Sequence, residues 1–291
     1  MRYFFIILTI IFMSCNPEKK ESNFDLQGHR GCRGLYPENT IPAFLHAIDL
    51  GVNTLEMDLA VTDDRELLVS HEPYMSAEMC LDKQGREISD TAQYQYNIYQ
   101  MNYEEIQQFD CGTKPHPRFP EQKKMVVNKP LLKDVIASVN EHLKESGKKH
   151  INYNIEIKSQ EKSDDVYHPS PADFSDLVYS TIDDLIDWKY VTIQSFDFRV
   201  LQYFHDKYPK VTLALLIENE LPYEQNLDSL GFKPEIYSCY FKLLTAQTVH
   251  DLQDQEIKVI PWTVNEEEDM LHMIEIGVDG LITDYPDRFN L

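Results

Sequence analysis

The sequence contains 291 residues, 42% of them hydrophobic and 26% charged, which is enough apolar material for one domain with a sizeable core. Its 49 acidic and 27 basic residues give a formal net charge of -22, and such a surface would repel the phosphates of a nucleic acid. No nucleic-acid partner is therefore expected. The sequence also lacks the C-x-x-C, H-E-x-x-H, Walker and G-x-S-x-G motifs, which disfavours zinc, nucleotide and serine-hydrolase sites.

Residues 1–15 have the pattern of a bacterial lipoprotein signal peptide. Arg2 gives a positive start, an apolar run spans residues 3–13, and the small residue Ser14 precedes Cys15. The run is too short for an ordinary membrane span. We expect cleavage before Cys15, a lipid on that cysteine and a polar tether over residues 16–23, giving an exported lipoprotein anchored on the periplasmic or cell-surface face of a membrane. Ordinary secretion with an unmodified Cys15 is the alternative.

Four further cysteines could form disulfides in an exported protein. They are Cys32, Cys80, Cys111 and Cys239. Their spacing does not determine a pairing. Cys32 lies close to His29 in the sequence, and we interpret it as a packing residue and not as a nucleophile.

From residue 24 onward, short β-rich runs alternate with helical patterns, as a parallel barrel requires. Eight such strands over residues 24–291 predict a (β/α)8 TIM barrel, a fold that typically needs about 250 residues. A long stretch at about residues 72–130 predicts an insertion after the second strand. The predicted strands are 26–30, 54–58, 152–157, 191–194, 211–217, 235–239, 258–262 and 280–283. The predicted helices include 40–50, 131–145, 173–186, 198–208, 246–253 and 266–275.

Charged residues are concentrated at the carboxyl ends of the predicted strands, where barrels carry their active sites. Side chains two apart on a strand share a face, so Glu56 and Asp58 should point together into the barrel mouth, with Glu156 on the next strand. Three converging carboxylates repel one another unless a cation lies between them, and oxygen ligands favour Mg²⁺ or Ca²⁺. The alternative is a buried ion-pair network in which Arg30 and Lys158 neutralise the carboxylates without a metal.

The order of these motifs resembles the glycerophosphodiester phosphodiesterase family. The similarity extends over nearly the whole chain after residue 24. The segments that carry it are His29-Arg30-Gly31, Pro37-Glu38-Asn39-Thr40, Glu56-Met57-Asp58, His71, Glu156-Ile157-Lys158, Gln194-Ser195-Phe196, Trp262-Thr263-Val264-Asn265 and residues 277–286.

The resemblance implies a role for each candidate residue and a reaction. The implied substrate is a small glycerophosphodiester from deacylated phospholipid, which is hydrolysed to glycerol 3-phosphate and an alcohol with one divalent cation, Mg²⁺ or Ca²⁺. Attack by a glycerol hydroxyl or by water would use the same residues. The implied roles are general acid and base for His29 and His71, phosphate ligands for Arg30 and Lys158, metal ligands for Glu56, Asp58 and Glu156, and pocket lining for Trp262 and Gln194.

Other functions remain open at this point. A phosphatidylinositol phospholipase C-like or sphingomyelinase D-like barrel would share the paired histidines and the metal. A barrel without turnover could instead bind phosphorylated ligands as a surface lipoprotein. The resemblance implies that the insertion caps the site and helps to select the alcohol group, and the alternative is a loosely packed cover with no selective role. The sequence departs from the family at Glu72, where aspartate is common, and Glu38 is expected to serve the first helix with Asn39 as its N-cap.

Overall fold

The computed structural model describes residues 24–289, so the predicted signal peptide, Cys15 and the tether lie outside the described residues. The nine strands within residues 24–289 are β1 Asp25–Gly28, β2 Thr54–Val61, β3 Leu67–Val69, β4 Asn152–Ile157, β5 Val191–Ser195, β6 Thr212–Ile217, β7 Ile236–Cys239, β8 Lys258–Val259 and β9 Gly280–Thr283. The eight α-helices in this part of the chain are α1 Ile41–Asp49, α2 Tyr103–Ile106, α3 Leu132–Ser146, α4 Pro171–Asp183, α5 Phe198–Lys207, α6 Tyr223–Leu230, α7 Ala246–Gln253 and α8 Glu267–Glu275.

Eight of these strands are parallel and form a nearly closed barrel with helices between them, which confirms the predicted TIM barrel. The sheet order is β8-β7-β6-β5-β4-β2-β1-β9, and β3 pairs antiparallel with β2 outside this path. Backbone hydrogen bonds from Asp279 to Val259 and from Ile282 to Pro261 join the two ends of the sheet. All eight carboxyl ends therefore face one side of the molecule.

The structure differs from the predicted elements where local backbone chemistry intervenes. Strand β1 ends at Gly28 because Arg30 and Gly31 have φ values of 50° and 86°, which belong to a turn. Strand β8 ends at Val259, shortly before Pro261, which has no N–H to donate to a ladder. Helix α6 was not predicted because its apolar positions are sparse, and the short β2–β3 hairpin was missed altogether.

The barrel has an apolar outer layer and a partly polar interior. Leu55, Met57 and Leu59 face the helices in one continuous core, as expected from the alternation along β2. Inside the barrel, the buried amide of Asn154 donates to both Gln27 and Gln194. Polar side chains thus occupy the interior directly beneath the mouth of the barrel.

The insertion between β3 and α3 has a hydrophobic cluster of its own, distinct from the barrel core. Met75, Ile98, Ile106 and Phe109 are buried in it, and a disulfide joins Cys80 to Cys111. The segment is therefore not loosely packed, and its role in selecting the alcohol group stays a prediction. Cys32 and Cys239 are free and buried. Across residues 24–289, no helix combines the length and the apolar character that crossing a membrane would need.

Candidate active site

A cavity of about 290 Å³ opens at the carboxyl ends of the strands. Asp58 is only 1% exposed and lies next to Glu56 and Glu156, which line this cavity. The structure thus brings all nine predicted site residues together. Eight of them line the cavity wall: His29, Arg30, Glu56, His71, Glu156, Lys158, Gln194 and Trp262.

Each histidine at the cavity is held by a carboxylate through Nδ1. His29 Nδ1 lies 2.6 Å from Asp284 Oδ1, and His71 Nδ1 lies 2.8 Å from Glu72 Oε1. Burial would raise the pKa of Asp284, but the charges of His29 and Arg33 hold it well below its usual range. The hydrogen bond with His71 likewise lowers the pKa of Glu72. Because ionised carboxylates only accept hydrogen bonds, both Nδ1 atoms donate, and Nε2 is left as the nitrogen for proton transfer.

The turn after β1 places His29 and Arg30 beside the carboxylates. The backbone N–H of Arg30 donates to Glu56 at 2.8 Å, while His29 Nε2 lies 3.9 Å from the same carboxylate. A Cβ on Gly31 would lie 2.7 to 2.9 Å from backbone and Cβ atoms of Ala43, so this turn packs against α1 as only glycine allows. Burial lowers the pKa of His29 to about 4, despite the opposing charge of Asp284.

Three buried carboxylates form a possible metal site, with one oxygen each of Glu56, Asp58 and Glu156 within 4.8 Å of the others. Lys158 lies 2.9 Å from Glu156, and Arg30 Nε lies 3.3 Å from Asp58. Glu56 instead receives a neutral amide hydrogen bond from Gln194 at 2.8 Å. Burial, followed by the charge of Asp58, raises the pKa of Glu56 well above its usual range. Three carboxyl groups face only two cations, the raised pKa of Glu56 reflects this shortage of positive charge, and the all-oxygen donor set fits a hard divalent cation.

The segment Pro37-Glu38-Asn39-Thr40 supports this site, and the predicted role of Asn39 as N-cap is wrong. Thr40 caps α1 by accepting from the N–H of Ala43. Asn39 has a φ of 55°, and its side-chain amide donates to Asp58 at 2.8 Å. Glu38 accepts from Arg30 at 2.7 Å, and the charges of Arg30 and Arg33 outweigh burial and lower its pKa to about 2.

Two of the residues predicted to bind substrate already have protein partners. The Gln194 amide lies between Glu56 and Asn154, and the Trp262 indole N–H donates to the backbone oxygen of Ser238 at 3.0 Å. The Trp262 ring lines the cavity and meets the Phe196 ring edge to face, with centroids 5.5 Å apart. Substrate contact by either residue stays a prediction.

Sequence reasoning assigned no role to Asp284, which fixes His29 from the end of β9. Asp284 also accepts from Arg33 at 3.0 Å and from the side-chain amide of Asn265 at 2.8 Å. The only available signal was its position at a strand end within the segment that carries the family resemblance, because 255 residues separate it from His29.

This combination of fold and site defines a class of protein. At the barrel mouth lie two histidines, each hydrogen-bonded to its own carboxylate, and a cluster of acids that can bind a hard cation. Two cationic side chains lie within reach of a phosphate bound there. These are the parts needed to cleave a phosphodiester, so the class is a phosphodiesterase built on a TIM barrel.

Comparison with known proteins narrows the class to one family. The model of the glycerophosphoryl diester phosphodiesterase family matches residues 29–288, so the chain belongs to this family. The predicted family and enzyme class are therefore confirmed. A glycerophosphodiester phosphodiesterase of Bacillus altitudinis is 28% identical over 265 residues, which cover 89% of this chain and 94% of that protein.

Solved structures agree with the fold. A crystal structure from Silicibacter pomeroyi, described as a glycerophosphoryl diester phosphodiesterase, has a TM-score of 0.80 and 27% identity, and the match covers 92% of each chain. A phosphodiesterase of Oleispira antarctica, solved with the product sn-glycerol-3-phosphate, has a TM-score of 0.71 and 19% identity over 91% of this chain and 94% of that one.

Proposed function

We propose that this protein hydrolyses small glycerophosphodiesters to glycerol 3-phosphate and an alcohol, with His29 and His71 exchanging protons and a divalent cation, Mg²⁺ or Ca²⁺, at Glu56, Asp58 and Glu156. The observation that carries the proposal is the pair of histidines, each held at Nδ1 by a carboxylate in one cavity with the three acids. Family membership supports the substrate class.

The chain's own residues account for the proton transfers and the binding of the phosphate. One imidazole takes the proton of the attacking hydroxyl at Nε2 while the other protonates the leaving oxygen, and Asp284 and Glu72 stabilise whichever ring becomes charged. Arg30 and Lys158 bind phosphate oxygens from the two sides of the acid cluster. When bound, the cation offsets charge that develops on the phosphate and lowers the pKa of a hydroxyl near it.

The proposal is tested by assaying residues 24–291 for release of glycerol 3-phosphate. The substrates are glycerophosphocholine, glycerophosphoethanolamine, glycerophosphoinositol and glycerophosphoglycerol, each with Mg²⁺, Ca²⁺ or a chelator. We expect turnover of at least one diester and its loss in chelator. Turnover of intact phosphatidylinositol or sphingomyelin alone would instead support one of the rival phosphodiesterases. Binding of glycerol 3-phosphate without turnover of any diester would support the non-catalytic surface protein.

We further propose that the chain is exported and anchored to a membrane through a lipid on Cys15. The Cys80–Cys111 disulfide supports export, because such bonds persist in oxidising compartments. Growth of a bacterium expressing the full chain with labelled palmitate should label the wild type and not Cys15→Ala. Equal absence of label in both proteins, with each found in the medium, would show ordinary secretion.

A further inference from the structure

A second cavity, of about 300 Å³, adjoins the first, and three tyrosines and a phenylalanine form much of its wall. The two cavities share His71, Glu72, Glu156, Lys158 and Phe196 as common wall. A diester whose phosphate lies against Lys158 would therefore place one ester arm in each cavity.

We infer that this second cavity, whose named aromatic residues are Tyr74, Tyr94, Tyr167 and Phe196, is a leaving-group site that selects a quaternary ammonium alcohol. The inference rests on the proposed function and adds a substrate preference to it. The aromatic rings come from three separate segments: the insertion, the loop after β4 and the end of β5. Rings from three segments converge on one space beside His71, which points to recognition of a specific chemical group.

The arrangement of the rings fits a soft organic cation. The rings of Tyr74 and Tyr94 meet edge to face with centroids 4.9 Å apart, and those of Tyr74 and Tyr167 are 6.3 Å apart. Ring faces attract cations through their quadrupole, and a cation that has shed its water gains most from them. A quaternary ammonium, which has no N–H group, is weakly hydrated and suits such a wall better than a primary amine.

Charge on the wall favours the same ligand. Glu72 lies in the wall and is ionised, because its hydrogen bond with His71 lowers its pKa. Lys158 lies at the boundary of the two cavities, where the phosphate would bind, and its charge is paired with Glu156. Glu72 and Lys158 both line the wall that the two cavities share, and because Glu156 pairs with Lys158, the Glu72 carboxylate leaves this wall with a net negative charge.

Two polar side chains of the cavity wall, Ser159 and His168, already have hydrogen-bond partners. The Ser159 hydroxyl donates to Asp197 at 2.7 Å. His168 accepts from the backbone N–H of Gln160 and interacts through Nδ1 with the carbonyl of Pro169 at 2.8 Å. These bonds engage two polar side chains of the wall, so neither is free to serve the hydroxyl groups of a sugar-like alcohol.

The cavity is held in shape by contacts between the segments that build it. The Asn97 amide of the insertion donates to the backbone oxygen of Val166, beside Tyr167, at 2.7 Å. Arg199 binds Asp164 in the same loop through two hydrogen bonds of 2.7 and 3.0 Å. Fixed rings lose little freedom when a ligand enters, which strengthens binding.

The test compares three substrates on the same protein, each of them glycerol 3-phosphate esterified to a second alcohol. The second alcohol is choline, its uncharged carbon isostere 3,3-dimethylbutanol, or glycerol. We expect kcat/KM for the choline ester to exceed that for the isostere by about 3- to 30-fold, the range of a desolvated cation–ring contact. Tyr94→Leu and Tyr167→Leu should remove most of this ratio, chiefly through KM. Tyr94→Phe and Tyr167→Phe keep the rings and should retain it.

The glycerol ester separates failure of this inference from failure of the proposed function. Its hydrolysis by the wild type shows that the phosphodiesterase is active, and in the leucine variants it should fall less than that of the choline ester, because glycerol carries no positive charge for the rings to attract. Equal kcat/KM for the choline ester and its isostere, or equal losses on all three diesters in the leucine variants, would overturn the ammonium site while leaving the phosphodiesterase intact. Absence of turnover on all three diesters would overturn both.

Discussion

His71→Ala and His29→Ala should each lower kcat for glycerophosphodiester hydrolysis by about 10² to 10⁴, the usual contribution of one positioned acid or base. Each ring presents Nε2 to the cavity because its Nδ1 is bonded to a carboxylate, at 2.8 Å for His71 and 2.6 Å for His29. KM should change far less than kcat, since neither ring is assigned to phosphate binding. Steady-state rates of glycerol 3-phosphate release measure both constants.

The double variant and the carboxylates sharpen this prediction. Because the two histidines act on the same transition state, the double alanine variant should lose little more than the worse single variant. Asp284→Asn and Glu72→Gln remove the charge that stabilises each imidazolium, so both should lower kcat while leaving circular dichroism unchanged. His250→Ala, on an exposed side chain of α7, is the matched control and should stay within about twofold of the wild type. Wild-type kcat in either catalytic variant would refute the two-histidine mechanism.

Local pattern was enough to predict the barrel and the shared face of Glu56 and Asp58, whereas the roles of the nine candidate residues came from the family resemblance. Alternation along β2 fixes the face of Glu56 and Asp58, and their position at a strand's carboxyl end fixes which side of the barrel they reach. These are properties of a few neighbouring residues, so a single sequence contains them. The expected strands were correct within a few residues wherever no positive φ or proline intervened.

Contacts between distant segments could not be predicted in the same way. Asp284 and His29 are 255 residues apart, and Tyr167 reaches Tyr74 from a different loop. Nothing in the spacing of Cys80 and Cys111 distinguishes their pairing from the other possible pairings. Asn39 shows a related limit, because a residue that commonly caps helices binds Asp58 once its backbone takes a positive φ. Tertiary geometry decided each of these cases.

Glu56→Gln should lower affinity for Mg²⁺ or Ca²⁺ by about 100-fold or more, since changes to residues that only orient a metal ligand already cost about 10- to 100-fold. Glutamine keeps the size of the side chain and an oxygen that can accept from the Arg30 N–H, but its NH2 group would face the donating amide of Gln194, so the change removes one negative charge and one hydrogen bond. Calorimetric titration of chelator-treated protein with each cation measures the affinity, and the assay should show a parallel loss of kcat/KM.

Asn39→Ala removes a residue that only orients the metal ligand Asp58, whereas Glu56→Gln changes a metal ligand itself. Its amide donates to Asp58 at 2.8 Å, so affinity should fall by about 10- to 100-fold, less than in Glu56→Gln, and high cation concentration should restore turnover. Glu141→Gln on the exposed side of α3 controls for the change in net charge in Glu56→Gln and should behave as the wild type.

The ion-pair alternative makes the opposite prediction for the metal site. Arg30 and Lys158 would then suffice to neutralise the cluster, and both chelated wild type and Glu56→Gln would retain full activity.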